Sequence, residues 1–162
     1  MSRATALLLV LVAGVVAAFA WTRWTSDEAA VERRLHGLAA EVNESTIDGA
    51  GLRARSAQLG TYFTDDVVID LGKGAAAIRG RATVMDMASR LQPRTSAFTL
   101  ELTDIGVVLA PDRQSGTVVL TAEFTRRGGG EDAIDARELS LAVTKADGAW
   151  RISRLTVVEA FK

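Results

Sequence analysis

The sequence predicts an α+β fold in which three helices pack on a curved antiparallel sheet, preceded by one N-terminal transmembrane helix. Three observations support this prediction. An uncharged apolar segment stands near the N-terminus, helical periodicity dominates the part that follows, and the C-terminal part alternates apolar and polar residues as strands do. Helices followed by a run of long strands are typical of the α+β class. The chain therefore divides into a transmembrane segment, 1–24, and a globular domain, 25–162.

The composition excludes several classes of function. The chain has 162 residues, of which 48% are hydrophobic and 24% charged, which is enough for one domain with a core. The formal net charge is −1, and the lysines and arginines are scattered, so the domain has no basic surface for nucleic acid. Because there is no cysteine and only one histidine, we expect no disulfide, no metal site and no cofactor.

The uncharged segment ATALLLVLVAGVVAAFAW, residues 4–21, is about long enough to cross a bilayer of roughly 30 Å as a helix. Arg3 precedes it, and Trp24 follows it where aromatic rings favour the headgroup layer. We therefore predict a single-pass signal anchor in the cell membrane, with the domain on the extracytoplasmic (periplasmic) side. The alternative is a signal peptide cleaved after the small-residue motif at 18–20, which would release a secreted or periplasmic domain.

Three helices are expected in the first part of the domain. Thr25 with Glu28 forms a capping-box pattern that opens the first, TSDEAAVERRLHGLAAEVNE. The second, GLRARSAQLGTYF, extends to Phe63, and the third, RATVMDMASRL, ends before Pro93. Their apolar residues at helical spacing are, in turn, Val31, Leu35, Leu38 and Val42; Leu52, Leu59 and Phe63; and Val84, Met87 and Leu91.

The first strand begins where the period changes from helical to alternating, after Phe63. Val67, Ile69 and Leu71 fall on one face of this strand, and Asp70 falls on the other. A short strand follows in AAAIRG.

Four long strands, separated by the turns PDRQSG, GGGED and ADG, make up the last part of the domain. Their apolar alternation shifts phase near Asp104 and again at residues 153–154, which predicts a β-bulge at each place. Bulges bend a sheet enough for it to wrap around a cavity.

Three stretches carry a family resemblance: YFTDDVVIDLG, IRGRATVMDMASRL and DGAWRISRLTVVE. With this order of elements, the chain resembles the nuclear transport factor 2-like superfamily, and within it the SnoaL-like and ketosteroid isomerase-like bacterial domains. The resemblance implies a cone-shaped fold with a pocket between sheet and helices, and frequent homodimerisation through the sheet. It implies no single reaction, because members of the superfamily include isomerases, cyclases, dehydratases and proteins that only bind.

The candidate catalytic residue is Asp70. The resemblance places the isomerase branch's catalytic aspartate at Leu71 and its second carboxylic acid at Arg137, and neither residue can act as that acid or base. A one-residue bulge would be needed to turn Asp70 inward. Asp65 and Asp66 are adjacent and point to opposite sides, so we assign them to the helix-to-strand turn. The sequence therefore leaves enzymatic activity open and favours a domain without it.

The predicted ligand-binding residues line the expected pocket: Tyr62, Leu71, Phe98, Phe124, Arg137 and Trp150. Arg137 is interpreted as an anion-binding residue positioned by Asp135, or as half of an ion pair on an edge strand. The leading hypothesis is a membrane-anchored domain that binds a small apolar or amphipathic ligand, or a protein partner, without turning it over. The alternative is a SnoaL-like isomerase or cyclase that transfers protons through Asp70, Arg137 and Tyr62.

Overall fold

The computed structural model describes residues 26–47, 51–72, 74–90, 97–127 and 133–158, together with Val12, Gly14 and Val15. The domain contains three helices, α1 (Asp27–Ile47), α2 (Gly51–Gly60) and α3 (Arg81–Arg90). Its strands are β1 (Phe63–Asp70), β2 (Ile78–Arg79), β3 (Ala97–Leu109), β4 (Ser115–Arg127), β5 (Ala133–Ala146) and β6 (Ala149–Val157). This is the order of elements that the sequence predicts.

The predicted transmembrane segment, residues 4–21, lies outside the described residues except for Val12, Gly14 and Val15, which are helical. Within the part of the chain that is described, no helix has both the length and the apolar content to cross a bilayer. The GGGED loop and the end of the third predicted helix, at Leu91 and Pro93, also lie outside the described residues.

The strands form one six-stranded sheet in the order β2-β1-β6-β5-β4-β3. The prediction of an antiparallel sheet is wrong at one place, because β1 runs parallel to β6 while every other pair is antiparallel. Alternation within a strand reports which residues share a face and says nothing about the direction of a neighbour. The first and last strands are joined by no hairpin, so nothing local sets their relative direction.

Both predicted bulges are present. Asp104 has a positive φ of 51°, and the register of β3 against β4 shifts between Thr103 and Gly106. On β6, Arg154 pairs with Ala142 and Ile152 pairs with Val143, so Ser153 is the extra residue. Each bulge re-phases its strand, which keeps apolar side chains on one face while the sheet curves.

The core lies between this face of the sheet and α1. We call this helix-covered face the inner face and the opposite one the outer face. Val31 and Leu35 of α1, one helical turn apart, are buried against it. The buried residues that alternate along the strands on the inner face are Val67, Val118, Leu120, Ala122, Leu141, Val143 and Ile152.

Two local boundaries differ from the prediction. Ser26, rather than Thr25, caps α1, since its hydroxyl oxygen accepts a bond from the Ala29 amide at 3.1 Å and it directly precedes the first helical residue. The second helix ends at Gly60, and Phe63 begins β1 instead of extending that helix.

The turn between α2 and β1 is made by Thr61 and Tyr62, whose amides donate to the carbonyls of Gln58 and Leu59. The Thr61 hydroxyl also donates to the Gln58 carbonyl, at 2.7 Å. The assignment of Asp65 and Asp66 to this turn is therefore wrong: both lie inside β1, where its register against β6 is irregular.

Candidate functional site

The inner face changes character along its strands. Val118, Leu120 and Ala122 of β4 are buried, whereas Phe124, the next residue in the same phase, is 38% exposed. Phe124 lies at the end of the sheet where β1, β4 and β6 finish and β3 and β5 begin. We call this the open end. The closed core thus gives way, on one continuous face, to an accessible apolar surface.

Arg137 and Asp135 lie on the inner face at the open end. Arg137 is directly opposite Ala122, and Asp135 is directly opposite Phe124, so all four side chains share the face. Arg137 Nε donates to both Asp135 oxygens at 3.0 and 3.2 Å, and Nη2 donates to Oδ2 at 3.1 Å. The pair lies on the part of β5 before Leu139, where pairing with β6 begins, so at these two residues β5 pairs with β4 alone. This position agrees with the interpretation of an ion pair at a strand edge.

Two further apolar side chains, Leu71 and Met87, are exposed near β1. Leu71 directly follows β1, continues the phase of Val67 and Ile69, and is 47% exposed. Met87 lies on α3 one turn after the buried Val84 and is 39% exposed. Because α3 contacts β1 and β2, Met87 comes from the helix side of the sheet, and Leu71 would share that side if it continued the alternation of β1. Phe98 also belongs to the open end by its backbone pairing with Arg126, but its side chain lies outside the described part.

Asp70 belongs to the outer face. It pairs with Thr156, and its neighbour Ile69 pairs with Leu155, which packs against the core. The register irregularity of β1 ends before Val68, so no bulge turns Asp70 inward. Its carboxylate accepts a bond from the Gly72 amide at 3.0 Å and thereby shapes the turn after the strand.

Tyr62 and Trp150 are buried at the opposite end of the sheet, where β1 and β6 begin. The Arg34 guanidinium carbon lies 3.9 Å from the centre of the Tyr62 ring, and Lys145 Nζ lies 5.6 Å from the centre of the Trp150 ring.

These two aromatic residues are far from the open end. Trp150 pairs with Lys145, which is roughly 26 Å along β5 from Arg137. The predicted ligand-binding residues therefore fall into two groups, and only Leu71, Phe124 and Arg137 join the open end with described side chains.

A separate cleft of about 570 Å³ opens between α2, α3 and the start of β1, and sequence reasoning did not identify it. Its principal charged pair is Arg81 with Asp65, at 2.5 Å. A Cβ at Gly60 would lie 3.4 Å from Cδ of Arg81, so the glycine leaves room for the arginine stem to cross the end of α2. Only the positions of Gly60 and Arg81 at adjoining helix ends could have pointed to this cleft.

Asp27, the first residue of α1, forms ion pairs with residues of two hairpins. Asp27 accepts bonds from Lys145 Nζ at 2.9 Å and from Arg113 Nε at 3.0 Å. These two hydrogen bonds hold the pKa of the Asp27 carboxyl below its usual value. Among the described residues, no three His, Cys, Asp or Glu side chains are grouped closely enough to hold a metal ion.

An α+β domain with a curved six-stranded sheet, helices on one face of that sheet and an open end has the nuclear transport factor 2-like fold. Solved structures with this fold resemble the chain. A Novosphingobium aromaticivorans protein named as a candidate scytalone dehydratase is 14% identical over 82% of this chain and 83% of its own, with a TM-score of 0.65.

Two other solved structures give the same result. A nuclear transport factor 2-like protein with a cystatin-like fold, from the same organism, is 14% identical over 85% of this chain and 84% of its own, with a TM-score of 0.64. A ketosteroid isomerase-like protein from Erwinia carotovora atroseptica is 18% identical over 84% of this chain and 99% of its own, with a TM-score of 0.58. At these identities the likeness concerns the fold.

The family model of the SnoaL-like domain matches residues 47–156. The chain therefore belongs to the SnoaL-like domain family. No curated protein matches it.

Proposed function

We propose that this SnoaL-like domain binds a small apolar or amphipathic ligand at the open end of its inner face and does not turn it over. One observation carries the proposal: Phe124 is exposed on the face that elsewhere forms the buried core, and Leu71, which directly follows β1, is exposed as well. Ligand sites in proteins are mostly apolar concavities with a few polar groups that fix orientation. Arg137 and Asp135 supply such groups at this place.

The carboxylates available for proton transfer favour binding over catalysis. Of the strand carboxylates in the described part, Asp135 lies in the inner phase and Asp65 lies where the register of β1 is irregular; they are 61% and 81% exposed, and each is paired with an arginine. A general base needs a position within hydrogen-bond reach of the substrate proton and a pKa near the working pH, which burial often provides. An exposed, arginine-paired carboxylate is not placed in that way.

Ligand binding can be tested on the full chain in lipid nanodiscs, with native mass spectrometry after release from the lipid. We expect a small molecule to be carried with the purified wild-type chain and to be lost from Phe124→Asp, which places a charge on the apolar surface. Val119→Asp is the matched control, since Val119 lies on β4 in the opposite phase and is also exposed. Loss of the molecule from both variants, or its absence from the wild type, would contradict the proposal.

We further propose that residues 4–21 anchor the domain to the cell membrane with the domain on the periplasmic side, as their length and lack of charge favour. Fractionation should then find the full-length chain in a membrane pellet that resists high salt. A mature chain beginning at Trp21 would establish a cleaved signal peptide instead.

The outer face favours association with a second copy of the chain. Val108 and Ile134 are largely exposed there, and Val119 is partly so. Exposed apolar side chains on a regular sheet face suit an isologous contact. Sedimentation should show a dimer that Val108→Glu weakens; a monomeric wild type at working concentration would contradict this part of the proposal.

The second candidate function is an isomerase or cyclase acting by proton transfer, supported by the isomerase-like name of one similar structure. Asp70, Arg137 and Tyr62 were its candidate residues. Asp70 and Tyr62 lie away from the open end, which weighs against a site formed by all three. Turnover of enolisable ketones that Asp70→Asn abolishes would favour this candidate, and unchanged turnover would exclude Asp70 as its base.

A further inference from the structure

We infer that the ligand of the open end carries a carboxylate, or a similar planar oxyanion, beside a flat apolar body, and that Arg137 receives the anionic group. The inference rests on the proposed function and specifies the chemical class of its ligand. It depends on which donors of Arg137 are in use, on what surrounds Arg137 on the inner face, and on the charge of Asp135.

The donors of Arg137 are only partly in use. A guanidinium has five N–H groups in a planar fork. The three bonds to Asp135 involve Nε and Nη2, along one edge of this fork, and none of them involves Nη1. The side chain is 46% exposed, so the second edge is accessible. Two parallel N–H groups on a guanidinium edge match the two oxygens of a carboxylate.

Apart from Asp135, the described neighbours of Arg137 on the inner face of β4 and β5 are apolar. Ala122 lies directly opposite and is fully buried, Leu139 is the next residue of β5 in the same phase, and Phe124 is its diagonal neighbour on β4. The exposed Phe124 ring offers a surface on which an aromatic or other flat apolar group can stack. Because Arg137 and Phe124 are diagonal neighbours, a ligand that contacts both has its charged group next to a flat apolar part.

Asp135 orients the guanidinium but opposes an anion. Both of its oxygens already accept bonds from Arg137, so it has less capacity for a cationic ligand group than Arg137 has for an anionic one. Its negative charge lies near the incoming carboxylate and lowers the affinity for it. Removing that charge while keeping the shape of the side chain should therefore strengthen anion binding.

The test compares two ligands that differ in charge and share one ring system: 1-naphthylacetate and 1-naphthylacetamide. Calorimetric titration of the full chain in nanodiscs should give about tenfold tighter binding of the carboxylate, the range of a charged hydrogen bond at a partly exposed site. In Arg137→Gln the ratio of the two affinities should fall to about one, because the carboxylate loses more affinity than the amide. In Asp135→Asn the carboxylate should bind several-fold tighter than in the wild type, because the opposing charge is gone.

Arg154→Gln is the control for charge alone, because Arg154 is an exposed arginine on the outer face of β6, and it should retain the wild-type preference. Equal affinity of the wild type for the two ligands, or a preference that persists in Arg137→Gln, would overturn the inference while the binding function stands. If neither ligand binds, the proposed function fails for flat apolar ligands, and the inference fails with it. An affinity for the carboxylate that drops in Asp135→Asn would also overturn the assigned roles.

Discussion

The side-chain amide of Asn43 makes two hydrogen bonds with the backbone of Leu100. Its nitrogen donates to the Leu100 carbonyl at 2.9 Å, and its oxygen accepts from the Leu100 amide at 2.7 Å. Asn43 belongs to α1, and Leu100 belongs to β3, the edge strand of the sheet. The amide thus makes the hydrogen bonds that a neighbouring strand would make at Leu100, which blocks strand pairing at this residue and fixes α1 against the sheet.

Asn43→Ala should destabilise the domain by about 1–3 kcal/mol, because two partly buried backbone groups lose their partner. Asn43→Asp keeps the acceptor but not the donor. Its loss of stability relative to the wild type should therefore be smaller at acidic pH, where the carboxyl regains a proton to donate. Urea unfolding of the full chain, followed by tryptophan fluorescence, measures both. Equal stability of Asn43→Ala and the wild type would mean that water replaces the amide without cost.

The two faces of β4 should respond differently to truncation. Leu120 is 1% exposed on the inner face, and Leu120→Ala should cost about 2–5 kcal/mol through lost burial and the cavity left behind. Val119→Ala, on the outer face, should change the free energy of unfolding by about 0.5 kcal/mol or less in a monomer. The same urea unfolding compares them, and similar losses would contradict the assignment of the faces.

Some of this structure could be predicted because it depends on residues close together in the chain. The bulges at Asp104 and Ser153 appeared as shifts of apolar phase, and the phase of Asp70 followed from its neighbours Ile69 and Leu71. The alternation of apolar and polar residues within one strand shows which residues share a face and where the phase shifts, and it does so without knowledge of the neighbouring strands.

The candidate site could be predicted only in part, because it depends on how the strands align. Tyr62 and Arg137 are both on the helix side, and nothing in their own segments shows that they lie at opposite ends of the sheet. The parallel pairing of β1 with β6 and the internal position of β5 are likewise set by contacts between distant parts of the chain. The Asp65–Arg81 cleft was missed for the same reason.

The contacts of Asp27 predict a dependence of stability on pH. Hydrogen bonds from Lys145 and Arg113 lower its pKa in the folded domain below the unfolded value. A lowered folded pKa contributes stability that is fully present above the unfolded pKa, about 3.9, and is lost as the pH falls through the folded pKa. Asp27→Asn should therefore be less stable than the wild type at neutral pH, and the difference should vanish at strongly acidic pH.

The measurement for Asp27 is the free energy of unfolding of both chains across this pH range, at constant ionic strength. Asp66→Asn is the matched control, since Asp66 is an exposed aspartate of β1. At neutral pH, the free energy of unfolding of Asp66→Asn should differ little from that of the wild type. A difference for Asp27→Asn that grows as the pH falls would contradict the ion-pair account.

Gly116 marks a place where β3 and β4 approach too closely for a side chain. A Cβ at this position would lie 2.8 Å from the Val108 carbonyl oxygen and 2.8 Å from Cδ2 of Leu109. The Leu109 side chain can move, but the carbonyl belongs to the backbone of the paired strand. Gly116→Ala should therefore force the hairpin apart and destabilise the domain by about 1–3 kcal/mol.

Gly106 provides the comparison for Gly116, because it lies on β3 near the same hairpin and its Cβ would meet nothing closer than 3.9 Å. Gly106→Ala should be neutral or slightly stabilising, since alanine restricts the unfolded chain more than glycine does. The two variants share one chemical change, so the difference in their urea midpoints reports the close approach itself. If Gly116→Ala unfolds at the same urea concentration as Gly106→Ala, the hairpin has room that the strand pairing does not indicate.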